Sequence, residues 1–197
     1  MKRRLAAGAA LLCIGLSALW HSNQASGQTG GWITLFDGQD LEHWNPIGDA
    51  NWMLIDGVVQ AFNGNGYLVS KTAYADFEIR AEFWVDTKAN SGIFIRCAEP
   101  EKVTASNCYE VNIFDERPDP SYGTGAIVNV AKVAPMPKAA DKWNTYEIVA
   151  KGPKFTVTLN GQRTVDGVED DKLKSGRIAL QYGAGVVKFR LVQIRPL

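Results

Sequence analysis

Histidine is nearly absent: of 197 residues, only His21 and His43 carry an imidazole. A histidine-rich metal site or a Ser-His-Asp triad therefore has almost nothing to be built from. Net charge is missing as well, with 21 basic residues against 21 acidic ones, and this removes the positive field on which nucleic-acid binders rely. Neither a glycine-rich phosphate loop nor a dinucleotide fingerprint occurs. No stretch after residue 31 keeps the 3.6-residue apolar rhythm of an amphipathic helix. The apolar run over residues 5–20 is shorter than the ~20 residues a membrane-spanning helix needs.

That run follows Met1-Lys2-Arg3-Arg4 and gives way at once to His21-Ser22-Asn23-Gln24. A charged start, an apolar middle and a polar, small-residue end are the order of an export signal, expected over residues 1–27, with a retained N-terminal anchor as the alternative. Leu12 is bulky where a lipoprotein signal before Cys13 wants a small residue. The expected location is periplasmic or secreted, and one domain is expected over residues 28–197. Loss of Lys2, Arg3 and Arg4 from the 21 basic residues leaves 18 against 21 acidic, so neither nucleic acid nor a membrane span is expected of the mature chain. Cys97 and Cys108 remain, and an even pair in an exported chain points to a disulfide closing residues 98–107. Two reduced thiols on neighbouring strands are the other arrangement open to them.

From Gly31 onward, glycines and turn dipeptides recur every few residues, and the pattern between them is two-residue alternation. Phe77, Ile79, Ala81, Phe83 and Val85 alternate with Glu78, Arg80, Glu82, Trp84 and Asp86, so one face of this segment is apolar and the other polar. Residues 146–150 and 155–159 repeat the pattern. Asn160-Gly161 after them and Asp56-Gly57 between residues 52–55 and 58–62 are type I′ hairpin signals, because these residue types tolerate positive φ. Further strands are expected over residues 92–97, 108–114, 125–130, 177–182 and 186–194, the last with a change of phase near Leu191 and Val192 that suggests a bulge. About a dozen short strands with hairpin connections call for two packed antiparallel sheets, and the expected fold is all-β, a jelly-roll sandwich in preference to a closed barrel, from which periodicity alone does not separate it.

Carboxylates, amides, guanidinium groups and aromatic rings on strands are the equipment that binds sugars: rings stack on their apolar faces and planar polar groups bond their hydroxyls. Alternation in Tyr109-Glu110-Val111-Asn112-Ile113 places Glu110 and Asn112 on one face, and in Gly92-Ile93-Phe94-Ile95-Arg96-Cys97 it places Phe94 with Arg96 opposite Ile93 and Ile95. If the cysteines hold these strands side by side, Arg96 and Glu110 share the polar face. That pair is either a binding or catalytic centre or a surface ion pair of little consequence.

Gly31-Trp32-Ile33-Thr34-Leu35-Phe36-Asp37-Gly38-Gln39-Asp40-Leu41, closing at Trp44, resembles the opening of the 3-keto-disaccharide hydrolase domain family. Asp76-Phe77-Glu78, Asn90-Ser91-Gly92-Ile93-Phe94-Ile95-Arg96, Tyr109-Glu110-Val111-Asn112-Ile113, Thr124-Gly125-Ala126-Ile127, Trp143-Asn144-Thr145-Tyr146, Leu159-Asn160-Gly161 and Ile178-Ala179-Leu180-Gln181 follow in the family's order. The resemblance implies a concanavalin A-like jelly roll that cleaves glycosides whose glucose carries a ketone at C3. It further suggests Glu110 as the base, Arg96 as the enolate stabiliser, Asn112, Asp115 and Gln181 as hydroxyl-binding groups, and Trp84 or Tyr182 as a stacking ring. A small carbohydrate or glycoside is the implied partner and no cofactor is implied, with a metal ion left open. Family members tend to read Leu-Gln-x-His-Gly where this chain has Leu180-Gln181-Tyr182-Gly183, and glutamine is more usual at Asn112. Phe189-Arg190-Leu191-Val192-Gln193-Ile194 likewise stands where Phe-Arg-Asn-Ile is common. The missing histidine keeps a non-catalytic, lectin-like glycan-binding module in view as the alternative to an enzyme.

Overall fold

The computed structural model describes residues 31–197; the expected export signal lies outside the described residues. Thirteen strands run in chain order: β1 (Ile33–Phe36), β2 (Trp44–Gly48), β3 (Asn51–Ile55), β4 (Val58–Phe62), β5 (Gly66–Tyr74), β6 (Phe77–Val85), β7 (Ser91–Cys97), β8 (Tyr109–Ile113), β9 (Trp143–Lys151), β10 (Lys154–Leu159), β11 (Gln162–Glu169), β12 (Gly176–Tyr182) and β13 (Val187–Pro196). They form an eight-stranded sheet in the order β11-β10-β9-β6-β13-β4-β3, with β1 also on β13, and a five-stranded sheet in the order β2-β5-β12-β7-β8. Neighbouring strands pair antiparallel throughout.

The alternation legible in the sequence is what closes the sandwich. Phe77, Ile79, Ala81 and Phe83 of β6, Tyr146 and Ile148 of β9 and Phe155 and Val157 of β10 point inward from the larger sheet. Leu68, Ile93, Ile95, Val111, Ile178 and Leu180 meet them from the smaller one. Full burial of each such side chain contributes about 1.5–3 kcal/mol, so the interlayer is the main source of stability. Asn160-Gly161 and Asp56-Gly57 take the expected left-handed φ values of 51° and 80°, and 50° and 73°. The phase change in β13 is a register shift between Phe189 and Leu191 against β6.

Residues 125–130 depart from expectation. Only Ile127 bridges Val111 of β8, because the chain turns back immediately: Ala131 N–H donates to Ile127 O at 2.8 Å and Asn129 sits at φ 62°. Four strands escaped the sequence reading, namely β1, β2, β5 and β11. β2 and β11 are sheet edges, where Pro46 and Gly167 are tolerated and apolar alternation is weak. β5 mixes Ser70, Lys71 and Thr72 into its length.

Cys97 and Cys108 are joined, with Cα atoms 4.2 Å apart, and close the loop between β7 and β8. That loop folds Val103 onto a second apolar cluster with Val69, Phe94 and Ala179. These residues alternate with Leu68, Ile93 and Leu180, so the cluster lies on the outer face of the five-stranded sheet, away from the interlayer.

Candidate active site

Register on that outer face sets the site. Gln181 of β12 pairs with Tyr67 of β5, Gly92 of β7 pairs with Asn112 of β8, and Phe94 lies between Glu110 and Ala179. Since Leu180 pairs with Ile93, the next position brings Gln181 beside Gly92. Tyr67, Gln181, Gly92 and Asn112 therefore form one row across four strands. Gly92 is its floor: a Cβ there would stand 3.3 Å from Glu110 Cγ and 3.4 Å from Phe94 Cε2. Glu110 thus leans from the next row over the gap that the missing side chain leaves.

Glu110 is only 8% exposed. Burial pushes its carboxyl up to about 7, against the opposing pull of the Arg117 charge. Desolvation disfavours the carboxylate, so near neutral pH this group is poised between acid and base. On either side of Gly92 lies an amide oxygen without a donor. Asn112 Nδ2 donates to Tyr122 O at 2.7 Å while its Oδ1 is buried and unsatisfied, and Gln181 Nε2 donates to Tyr67 Oη at 3.4 Å while its Oε1 is unsatisfied. Both oxygens are shielded from solvent, and a buried acceptor left without a donor costs about 1–3 kcal/mol. The Tyr67 ring meets Phe94 edge-on, with centroids 5.4 Å apart, and burial raises its phenol above the ordinary tyrosine value.

Arg96 is not part of this arrangement. Its φ of 53° breaks the alternation of β7, and the side chain, 1% exposed, runs to the end of the sheet. There its Nε–H donates to Ala75 O, Nη1 to Gly152 O and Leu173 O, and Nη2 to Asp76 Oδ1 at 3.0 Å, with the guanidinium over the Phe155 ring. A cleft of about 460 Å³ opens beside it, lined by Asp76, Gly152, Pro153 and Leu173 among others, but the guanidinium is already committed to those backbone carbonyls. The expected Arg96–Glu110 pair is therefore not formed, and its physical cause is the left-handed residue that rotates the strand's phase.

The other expected residues divide. Asn112 and Gln181 stand beside Glu110. Trp84 belongs to β6 of the opposite sheet and lies under Lys188 Nζ at 4.7 Å from the ring centroid. Tyr182 faces the interlayer, where its hydroxyl accepts from Asn63 N–H and donates to Gly185 O. Asp115 caps a loop, accepting the Thr124 hydroxyl at 2.6 Å and the amides of Ala139 and Ala140. Sequence reasoning missed Tyr67 and the floor role of Gly92. Tyr67 alternates with buried Leu68, a signal hidden because β5 itself went unrecognised. Among the described residues, no three of histidine, cysteine, aspartate and glutamate gather as a metal-binding group.

Two antiparallel sheets with this core are a concanavalin- and galectin-like jelly roll, the architecture of many carbohydrate-active proteins. Residues 31–195 match the 3-keto-alpha-glucoside-1,2-lyase-like domain, and the chain belongs to that family. Among solved structures, a candidate glycosyl hydrolase of Parabacteroides distasonis is similar at 25% identity with a TM-score of 0.71, covering 85% of this chain and 100% of that one. The β-glucanase of Bacillus licheniformis is 14% identical, with a TM-score of 0.61 over 86% of this chain and 100% of that one. The carbohydrate-binding module CBM66 of Bacillus subtilis is 17% identical, with a TM-score of 0.57 over 82% and 93%. The last two likenesses concern the fold alone, which serves both catalysis and binding. A search of the curated proteins finds no match.

Proposed function

We propose that this chain is an exported enzyme that cleaves 3-keto-glycosides or 3-keto-disaccharides, with Glu110 as the base. The observation that carries this reading is a single carboxyl, nearly buried and pushed to about 7, on the same outer face as two amide oxygens that lack donors. A ketone at C3 acidifies the proton on C2. Glu110 takes that proton, the electron pair forms the C2–C3 enolate, and the enolate expels the C1 substituent to leave a C1–C2 double bond conjugated with the restored ketone. The leaving oxygen collects a proton, and water adding at C1 completes net hydrolysis; without that addition the reaction is a lyase step. Asn112 and Gln181 accept hydrogen bonds from sugar hydroxyls. The disulfide between Cys97 and Cys108 supports an oxidising compartment.

The test is to incubate the purified protein with a 3-keto-glucoside and follow loss of the ketosugar absorbance. Glu110→Gln is expected to lower kcat by about 100-fold or more, the usual contribution of a positioned base. In the unaltered protein kcat/KM should rise with pH through about 7 as the carboxylate form accumulates. Full activity in Glu110→Gln would remove Glu110 from the base role. Sugar binding without turnover would instead favour the lectin-like reading, to which the loss of the family-type histidine beside Gln181 gives its weight.

A further inference from the structure

Resting on that reading of the site, we infer that the Tyr67 hydroxyl is the donor that stabilises the enolate oxygen at C3. The chemistry requires a hydrogen-bond donor where negative charge develops, and Arg96 is committed elsewhere. Tyr67 lies on the same outer face as Glu110, with its ring edge-on to Phe94, whose strand partner is Glu110. The Glu110 charge acts on the Tyr67 phenol, which places the two groups within electrostatic reach. The Tyr67 oxygen accepts from Gln181 Nε2. Among the described residues no acceptor takes its own proton, so the O–H is free to turn to a ligand.

Two strand spacings, roughly 10 Å, separate the Tyr67 and Gly92 backbones, and Gln181 lies between them. A sugar ring over the Gly92 floor then has the base on one side and the phenol on the other. The base removes the C2 proton while the phenol bonds the adjoining C3 oxygen, so charge is moved from carboxylate to enolate within one pair of neighbouring carbons. Tyr67 donates a hydrogen bond and keeps its proton. Once the C1 substituent has left and the ketone has re-formed, the phenol is unchanged. This assignment makes Tyr67 a catalytic residue whose contribution is larger in the transition state than in the ground state.

Tyr67→Phe keeps the ring against Phe94 and removes only the O–H. With a 3-keto-glucoside, kcat is expected to fall by about 100-fold, as for loss of one oxyanion donor, with KM changing by less than about threefold. A C2-deuterated substrate should show a larger primary isotope effect in the variant, because proton removal then limits the rate. Incorporating 3-fluorotyrosine at position 67, which preserves shape and donor, should keep kcat within about threefold of the unaltered protein; this arm also covers a Tyr67→Phe chain that fails to fold. Turnover by the unaltered protein with kcat unchanged in Tyr67→Phe, or with only KM raised, overturns the assignment and leaves Glu110 as the base. Absence of turnover in the unaltered protein overturns the reading of the whole site, and this inference with it.

Discussion

At Arg96 a charged side chain serves as a structural tie. Its guanidinium draws together the turn between β5 and β6, the turn between β9 and β10 and the segment before β12, through Ala75, Asp76, Gly152 and Leu173. Desolvation alone would lower its pKa, and the Asp76 charge opposes that shift. Arg96→Ala leaves three backbone carbonyls without their side-chain donor, whereas the part-exposed Asp76 carboxylate keeps the Gly152 amide; a buried acceptor left unsatisfied costs about 1–3 kcal/mol. Chemical denaturation should read that loss, while kcat per folded molecule stays close to the unaltered value. A variant of normal stability and abolished turnover would return Arg96 to the active site. Sequence pattern pointed to Arg96 because strict alternation places it with Phe94, and a single left-handed φ is invisible to that pattern. Glu110 and Asn112 obey the alternation, which is why it placed them on one face, whereas Gln181 was legible only through the family resemblance.

At the scale of elements, the loop between β7 and β8 has the most leverage on the site. It is closed by the Cys97–Cys108 bond and carries Val103 onto Phe94, the ring that holds Tyr67. The bond excludes extended conformations of this loop from the unfolded chain and stabilises the fold by about 3 kcal/mol on the loop-entropy account. Replacing both cysteines by serine should lower the denaturation midpoint accordingly, and activity should fall at temperatures below the main transition as Phe94 and Tyr67 lose their cover. An unchanged midpoint would mean that strand pairing alone holds the loop. The long alternating strands β6, β9 and β10 and both Asn-Gly-type hairpins were readable from local chemistry. The segment over residues 125–130 was not, because its pairing with β8 ends after one bridge through a turn back to Ala131.

For the molecule as a whole, Glu110 couples the site to stability. Its folded-state value of about 7 lies above the ordinary 4.5, so between these two pH values the folded chain holds more protons than the unfolded one. Stability therefore falls as pH rises from about 4.5 to about 7 and is flat with respect to this group above that range. At about 1.4 kcal/mol per pH unit, the loss reaches about 3 kcal/mol. Glu110→Gln is free of it: the variant should melt higher than the unaltered protein at pH 8, and the difference should close toward pH 4. Parallel melting curves across that range would show that the carboxyl is solvated after all.

The order of the motifs, the alternation and the turn dipeptides determined by themselves an all-β fold and its family, because each depends on neighbours in sequence; the Cys97–Cys108 bond was one of two arrangements open to the cysteines until the strands were placed. Which polar groups meet was settled only by tertiary structure. Register between β5, β12, β7 and β8 joins residues 67, 92, 112 and 181 into one row, and the backbone twist at Arg96 sends an expected partner to another end of the sandwich. Such distances follow from the pairing of strands far apart in the chain, and no local pattern encodes them.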